Sequence, residues 1–132
     1  MMTTFESRQI SEVPDDIAPD GSEIRLVSVE MAGASMVHCT LKAGGTTRAV
    51  HHRSVSETWL CISGEGRLWR SQDGVRETVN LSPGTGASIA SGTRFQFTND
   101  GTTPLEIVIA TFPPWPGEGE AIHVEGEWYP NV

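Results

Sequence analysis

Beyond its first two dozen residues the chain never sustains a helical period. Apolar and polar residues alternate in short runs: Ile24 to Glu30, Ser35 to Leu41, Arg48 to His52, Glu57 to Ile62, Arg67 to Arg70, Arg76 to Leu81, Ala87 to Ala90, Phe95 to Thr98 and Leu105 to Phe112. A period of two is the mark of strands with one buried face. The breaks between runs are Ala-Gly-Gly at 43 to 45, Ser-Gly-Glu-Gly at 63 to 66, Gln-Asp-Gly at 72 to 74, Ser-Pro-Gly at 82 to 84, Ser-Gly at 91 to 92 and Asn-Asp-Gly at 99 to 101. These residues tolerate the positive φ of tight turns. About nine short strands at this spacing predict an all-β sandwich or closed barrel.

The flanks differ from this middle. Residues 1 to 22 are polar, carry Pro14, Pro19 and Gly21, and read as an arm lying on the body. The segment after Phe112 holds Pro113, Pro114 and Pro116, which withhold three backbone donors, so residues 113 to 132 are expected to wrap the barrel rather than extend it. Trp115, Trp128 and Tyr129 are then anchors, over one barrel end or across a dimer interface. The division is an arm to 22, a barrel over 23 to 112 and a packed tail.

Charge limits the partners. Nine basic residues stand against seventeen acidic ones in 132 residues, a net −8, which repels phosphate backbones and anionic lipid. No apolar stretch approaches the roughly eighteen residues of a membrane span, and the start MMTTFESRQISEVPDD lacks the basic and apolar regions of a secretory signal. Cys39 and Cys61 have no CxxC spacing and read as core thiols of a reducing compartment. A cytoplasmic protein is expected, and a homodimer, because short barrels expose edge strands that need cover.

From Gly45 onward the spacing resembles the cupin superfamily. Gly45, five residues, then His51, with Glu57 followed after six residues by Gly64, follows the first cupin motif; its histidine pair falls on His51 and Arg53 if three residues precede the Glu, or on Val50 and His52 if four do. Either register keeps one imidazole of the two. The second motif runs from Gly84 through Ala90-Ser91-Gly92 to Asn99, with Ala90 replacing its proline and Phe95 standing where the family places its third histidine.

The resemblance implies a jelly-roll, or double-stranded β-helix, barrel with a small-molecule pocket. Family members hold a divalent ion such as iron, manganese, nickel or zinc with three imidazoles and a carboxylate. Here such a site would have to be made from His51 or His52, Glu57 and His38, which shares a strand face with Met36 and Thr40, so no cofactor is taken as required. Alternation from Glu57 adds Trp59 and Cys61 to the pocket, alternation from Phe95 adds Phe97, and His38 and Arg53 complete the set of substrate-binding candidates. Glu57 with His51 or His52 is the candidate acid/base group. The resemblance implies a proton-transfer enzyme of isomerase, cyclase or lyase type; alternatives are a metal-dependent cupin such as a dioxygenase, and a binding module without catalysis.

Overall fold

The computed structural model describes residues 5–27 and 33–132. Among these there is no helix, and the chain forms eleven strands: β1 (Asp16–Ile17), β2 (Glu23–Leu26), β3 (Ser35–Leu41), β4 (Val50–His52), β5 (Ser56–Ser63), β6 (Gly66–Gln72), β7 (Val75–Leu81), β8 (Gly86–Ile89), β9 (Arg94–Asn99), β10 (Leu105–Phe112) and β11 (Ala121–His123). Each expected strand is present. The last residues of the run that begins at Ile24 lie outside the described residues. β1 and β11, too short to show a period, come from the flanks.

All pairings are antiparallel, in a six-stranded sheet ordered β1-β2-β3-β10-β5-β8 and a five-stranded sheet ordered β11-β4-β9-β6-β7. The fold is the all-β jelly roll. The arm and the tail thus each add a strand at a sheet edge instead of lying wholly outside the barrel. The β6–β7 turn shows the local chemistry: Asp73 and Gly74 are its two residues, at φ 52° and 80°, the left-handed pair that matches the strand twist.

Alternation on β5 buries Glu57, Trp59 and Cys61 and leaves Thr58, Leu60 and Ile62 outside. On β10 it buries Leu105, Ile107, Ile109 and Thr111. The registers Cys39↔Ile107↔Cys61 and Leu68↔Phe97 gather one half of the interior into a solid core with Leu41, Leu81 and Leu105. The registers Ser35↔Thr111↔Glu57 and Val50↔Phe95 define the other half, which remains hollow.

β9 is buried on both faces. Phe95 and Phe97 point inward, while Gln96 lies beneath the tail and uses every hydrogen-bonding site of its amide. Its Nε2 donates to Thr47 O and Trp128 O, both at 2.8 Å, and its Oε1 accepts from the Glu127 and Trp128 amides at 2.9 Å. A buried amide so satisfied pins a strand-less segment firmly. Gly126 passes so close that a Cβ would meet the Gln96 carboxamide and the Ala49 methyl.

Candidate functional site

The hollow half of the barrel is a cavity of about 430 Å³. β5 contributes Glu57 and Trp59, β4 contributes Val50 and His52, β9 contributes Phe95, and β10 contributes Ile109 and Thr111. Trp115 closes one side from the tail; its amide donates to Ser35 Oγ at 3.3 Å, and Ser35 in turn bonds the Thr111 hydroxyl. The arm supplies another wall through Ala18, Asp20 and Ser22.

The strand period settles the histidine register. Val50 and His52 share the inward face of β4, and His51 points away. The first family imidazole is therefore replaced by Val50, the second is His52, and the third is Phe95. Arg53 follows the strand end and is exposed. His38 is on the outer face of β3, since Val37, Cys39 and Leu41 take the inner one, and its Nε2 lies 3.0 Å from Glu106 Oε1 on the adjacent strand. Cys61 and Phe97 face inward but belong to the solid core; Phe97 backs the cavity by packing edge-on against Trp59 at 5.0 Å. Of the nine residues chosen from the sequence, Glu57, His52, Trp59 and Phe95 come together at the cavity. His51, Arg53, His38, Cys61 and Phe97 do not line it.

The chemistry of the assembled group follows from burial. Glu57 is only 9% exposed, and burial raises its carboxyl to about 7 even though the Trp59 Nε1–H donates to Oε1 at 2.9 Å and opposes the rise. Its Oε2 is 4.0 Å from His52 Nδ1, too far for a hydrogen bond. Burial likewise lowers the His52 imidazole to about 4. Near neutral pH the imidazole is therefore uncharged and the carboxyl is poised between its two forms. The pair is therefore not an ion pair. Ring edges hold His52 in place, with Phe95 at 5.2 Å and Trp115 at 4.9 Å between centroids, and its Nδ1 has no hydrogen-bond partner among the described residues.

A carboxylate from the tail fixes the segment between the two groups. Glu120 Oε1 accepts from the Ser54 and Val55 amides, both at 2.7 Å, and the Ser54 hydroxyl donates to it at 2.8 Å. The Arg53 amide donates to the Glu120 carbonyl at 3.0 Å. Burial alone would push the Glu120 carboxyl up, but these donors outweigh it and hold the group below its ordinary value.

The donor set does not match a cupin metal centre. Two of the three imidazole positions hold Val50 and Phe95, and His38 is on the wrong face to replace either. Among the described residues no three His, Cys, Asp or Glu side chains converge as metal ligands. Asp20 and Trp115, absent from the sequence-based set, are both part of the cavity wall. Trp115 had a signal as an anchoring aromatic. Asp20 had none, because the arm's two-residue strand β1 is too short to show a period and Asp20 lies beyond it. Tyr129, expected to anchor the tail, is 98% exposed, whereas Trp128 packs beneath the Arg67 guanidinium at 5.0 Å.

Two antiparallel sheets closed into a barrel, with a solid apolar core at one end and a cavity at the other, define the double-stranded β-helix class. The chain belongs to the cupin family: residues 37–111 match the cupin domain. Solved structures agree on the fold. A Klebsiella pneumoniae conserved protein with a double-stranded β-helix domain is 23% identical, with a TM-score of 0.68 over 92% of this chain and 100% of that one. Streptomyces PAC13, in a structure with uridine, is 17% identical at a TM-score of 0.71, covering 93% of this chain and 92% of that one. The capsular polysaccharide assembling protein CapF of Staphylococcus aureus is 15% identical at a TM-score of 0.72. There the match covers 84% of this chain but 34% of CapF, so the chain spans about a third of that protein.

Proposed function

We propose that this cupin is a small-molecule enzyme working by proton transfer, in an isomerisation, a cyclisation or a lyase-type elimination. The observation that carries the reading is Glu57: a carboxyl poised near neutrality, one oxygen held by Trp59, the other turned toward an unpaired imidazole in a cavity large enough for a metabolite. In the protonated form Glu57 donates to a substrate atom. In the ionised form it withdraws a proton from one. His52, neutral and with a free Nδ1, takes or orients the second proton. The aromatic walls exclude water from the exchange. That PAC13 is seen with uridine supports a barrel of this shape as a container for a small polar molecule.

The test does not require the substrate in advance. The protein is incubated with a metabolite extract in deuterated water, and proton NMR follows loss or exchange of C–H signals. Conversion by the wild type, reduced on the order of a hundredfold to ten-thousandfold in a folded Glu57→Gln variant, is expected. Equal conversion by the variant overturns the role. Conversion that requires added divalent metal favours the metal-dependent alternative.

Two further properties belong to this proposal. We take the protein to be a homodimer, supported by the exposed Met36, Leu60, Ile62 and Phe112 on the outer side of the six-stranded sheet; a monomeric mass by light scattering refutes it. Two free, buried thiols, Cys39 and Cys61, support a reducing cytoplasm.

A further inference from the structure

Among the described residues the cavity holds two buried carboxyls, not one, and no buried positive charge. Asp20 is 8% exposed and Glu57 9%. Each has one oxygen satisfied by the protein. Asp20 Oδ1 accepts the Ser22 amide at 2.9 Å and the Ser22 hydroxyl at 2.7 Å, and Glu57 Oε1 accepts the Trp59 indole. Neither second oxygen has a donor among the described residues. The His52 Nδ1 near Glu57, on a ring 6% exposed, is likewise unpartnered among the described residues.

Among the described residues the charged groups around the pair are few, and the Glu120 carboxylate that acts on His52 is one of them. Of the described cavity residues only Arg8 is cationic, and it lies exposed at the rim with the equally exposed Asp16. Arg48 and His123 approach Asp20 from outside the cavity, and both are exposed. His52 faces Glu57 as a neutral ring. The remaining walls are Trp59, Phe95 and Trp115 with aliphatic side chains. Buried carboxyl oxygens without a cationic partner and aromatic rings that attract positive charge are complementary to one kind of guest.

We infer that the cavity takes an organic cation, a primary or quaternary ammonium compound, with its charge between Asp20 and Glu57 and against the rings of Trp59, Phe95 and Trp115. This rests on the cavity being the small-molecule site, but not on any reaction taking place there. The net charge of −8 draws such a ligand in. Burial raises both carboxyls, and near neutral pH Glu57 carries a proton part of the time in the free protein. An incoming ammonium replaces that proton. Binding near neutral pH therefore releases a proton, and affinity rises as the pH passes upward through the range where Glu57 titrates.

The experiment is a binding titration of the wild-type protein with choline and with phenethylamine, read by tryptophan fluorescence and by calorimetry in two buffers of different ionisation enthalpy. Dimethylbutanol, the uncharged isostere of choline, is the control. Choline is expected to bind more tightly than its isostere by about tenfold or more, to release a proton, and to bind more tightly at about pH 8 than at about pH 6. Asp20→Asn is expected to remove most of that preference while leaving the isostere unchanged. Equal binding of choline and dimethylbutanol overturns the inference, as does no saturable binding of either ammonium compound at millimolar concentration. The wild-type comparison decides even if Asp20→Asn fails to fold. Ammonium binding without turnover upholds the inference while the proton-transfer reading falls; turnover of an uncharged substrate with no preference for ammonium does the reverse.

Discussion

The burial of Glu57 has a consequence for stability that can be separated from catalysis. Its carboxyl is raised from 4.5 to about 7 on folding, so between those limits the native state binds more protons than the unfolded chain, and stability falls as pH rises. The full difference is about 3 kcal/mol, present below the unfolded value and lost above about 7. His52 runs oppositely. Its value drops from 6.5 to about 4, so its contribution is present above 6.5 and lost as the pH falls toward 4, by a similar amount. Across the shared window the two slopes cancel, and the pair gives the wild type a flat profile there.

Glu57→Gln keeps the acceptor for the Trp59 indole and removes one slope. The variant should therefore match the wild type at about pH 4.5 and exceed it by up to about 3 kcal/mol at about pH 8, and its stability should rise between those points as His52 is relieved of its proton. Urea unfolding at a series of pH values, followed by tryptophan fluorescence, measures this directly. The surface carboxylates are common to both proteins and drop out of the difference. Parallel curves for the two proteins would refute the reasoning, because they would mean that Glu57 titrates alike folded and unfolded.

Other expectations concern the segments that hold the site. Glu120→Ala leaves the Ser54 and Val55 amides without their acceptor, which should cost about 2 to 3 kcal/mol in urea unfolding. It should also push the His52 imidazole further below its ordinary value in an NMR titration, because the Glu120 carboxylate is the charge that opposes the effect of burial there. Gly126→Ala forces a methyl against Gln96 and Ala49 and should cost about 1 to 3 kcal/mol, with the midpoint of thermal unfolding lowered by several degrees. Trp115→Ala opens one wall and should weaken choline binding severalfold in the fluorescence titration, while thermal stability changes less than for Gly126→Ala.

The barrel was legible because its signal is local. A strand such as Glu57 to Ile62 declares its inward face every second residue, and turns such as Asp73-Gly74 declare themselves by the φ they need. The register across strands is not local, and there the sequence left two readings of the histidine pair. One loop residue more or less before Glu57 exchanges His51 for His52. The structure resolves this through the antiparallel pairing of Val50 with Phe95, a contact between residues far apart in the chain. His38 shows the same limit: alternation says which residues share its face, but not which face is inside.

The site's other half was illegible for a physical reason. Asp20 reaches the cavity because its segment is latched from several directions. Its carbonyl accepts the Arg48 amide at 2.9 Å, the Pro19 carbonyl lies 3.1 Å from His123 Nε2, and Val132 abuts Gly21, which takes φ 98° and leaves no room for a Cβ. Each latch joins the arm to a part of the chain dozens of residues away, so no window along the sequence contains it. Phe95 and Val50, read alone, report only that imidazoles are missing. With Asp20 in place those substitutions acquire a positive sense: they replace nitrogen donors with apolar walls around two carboxyls. Such a lining favours a guest that carries its own positive charge.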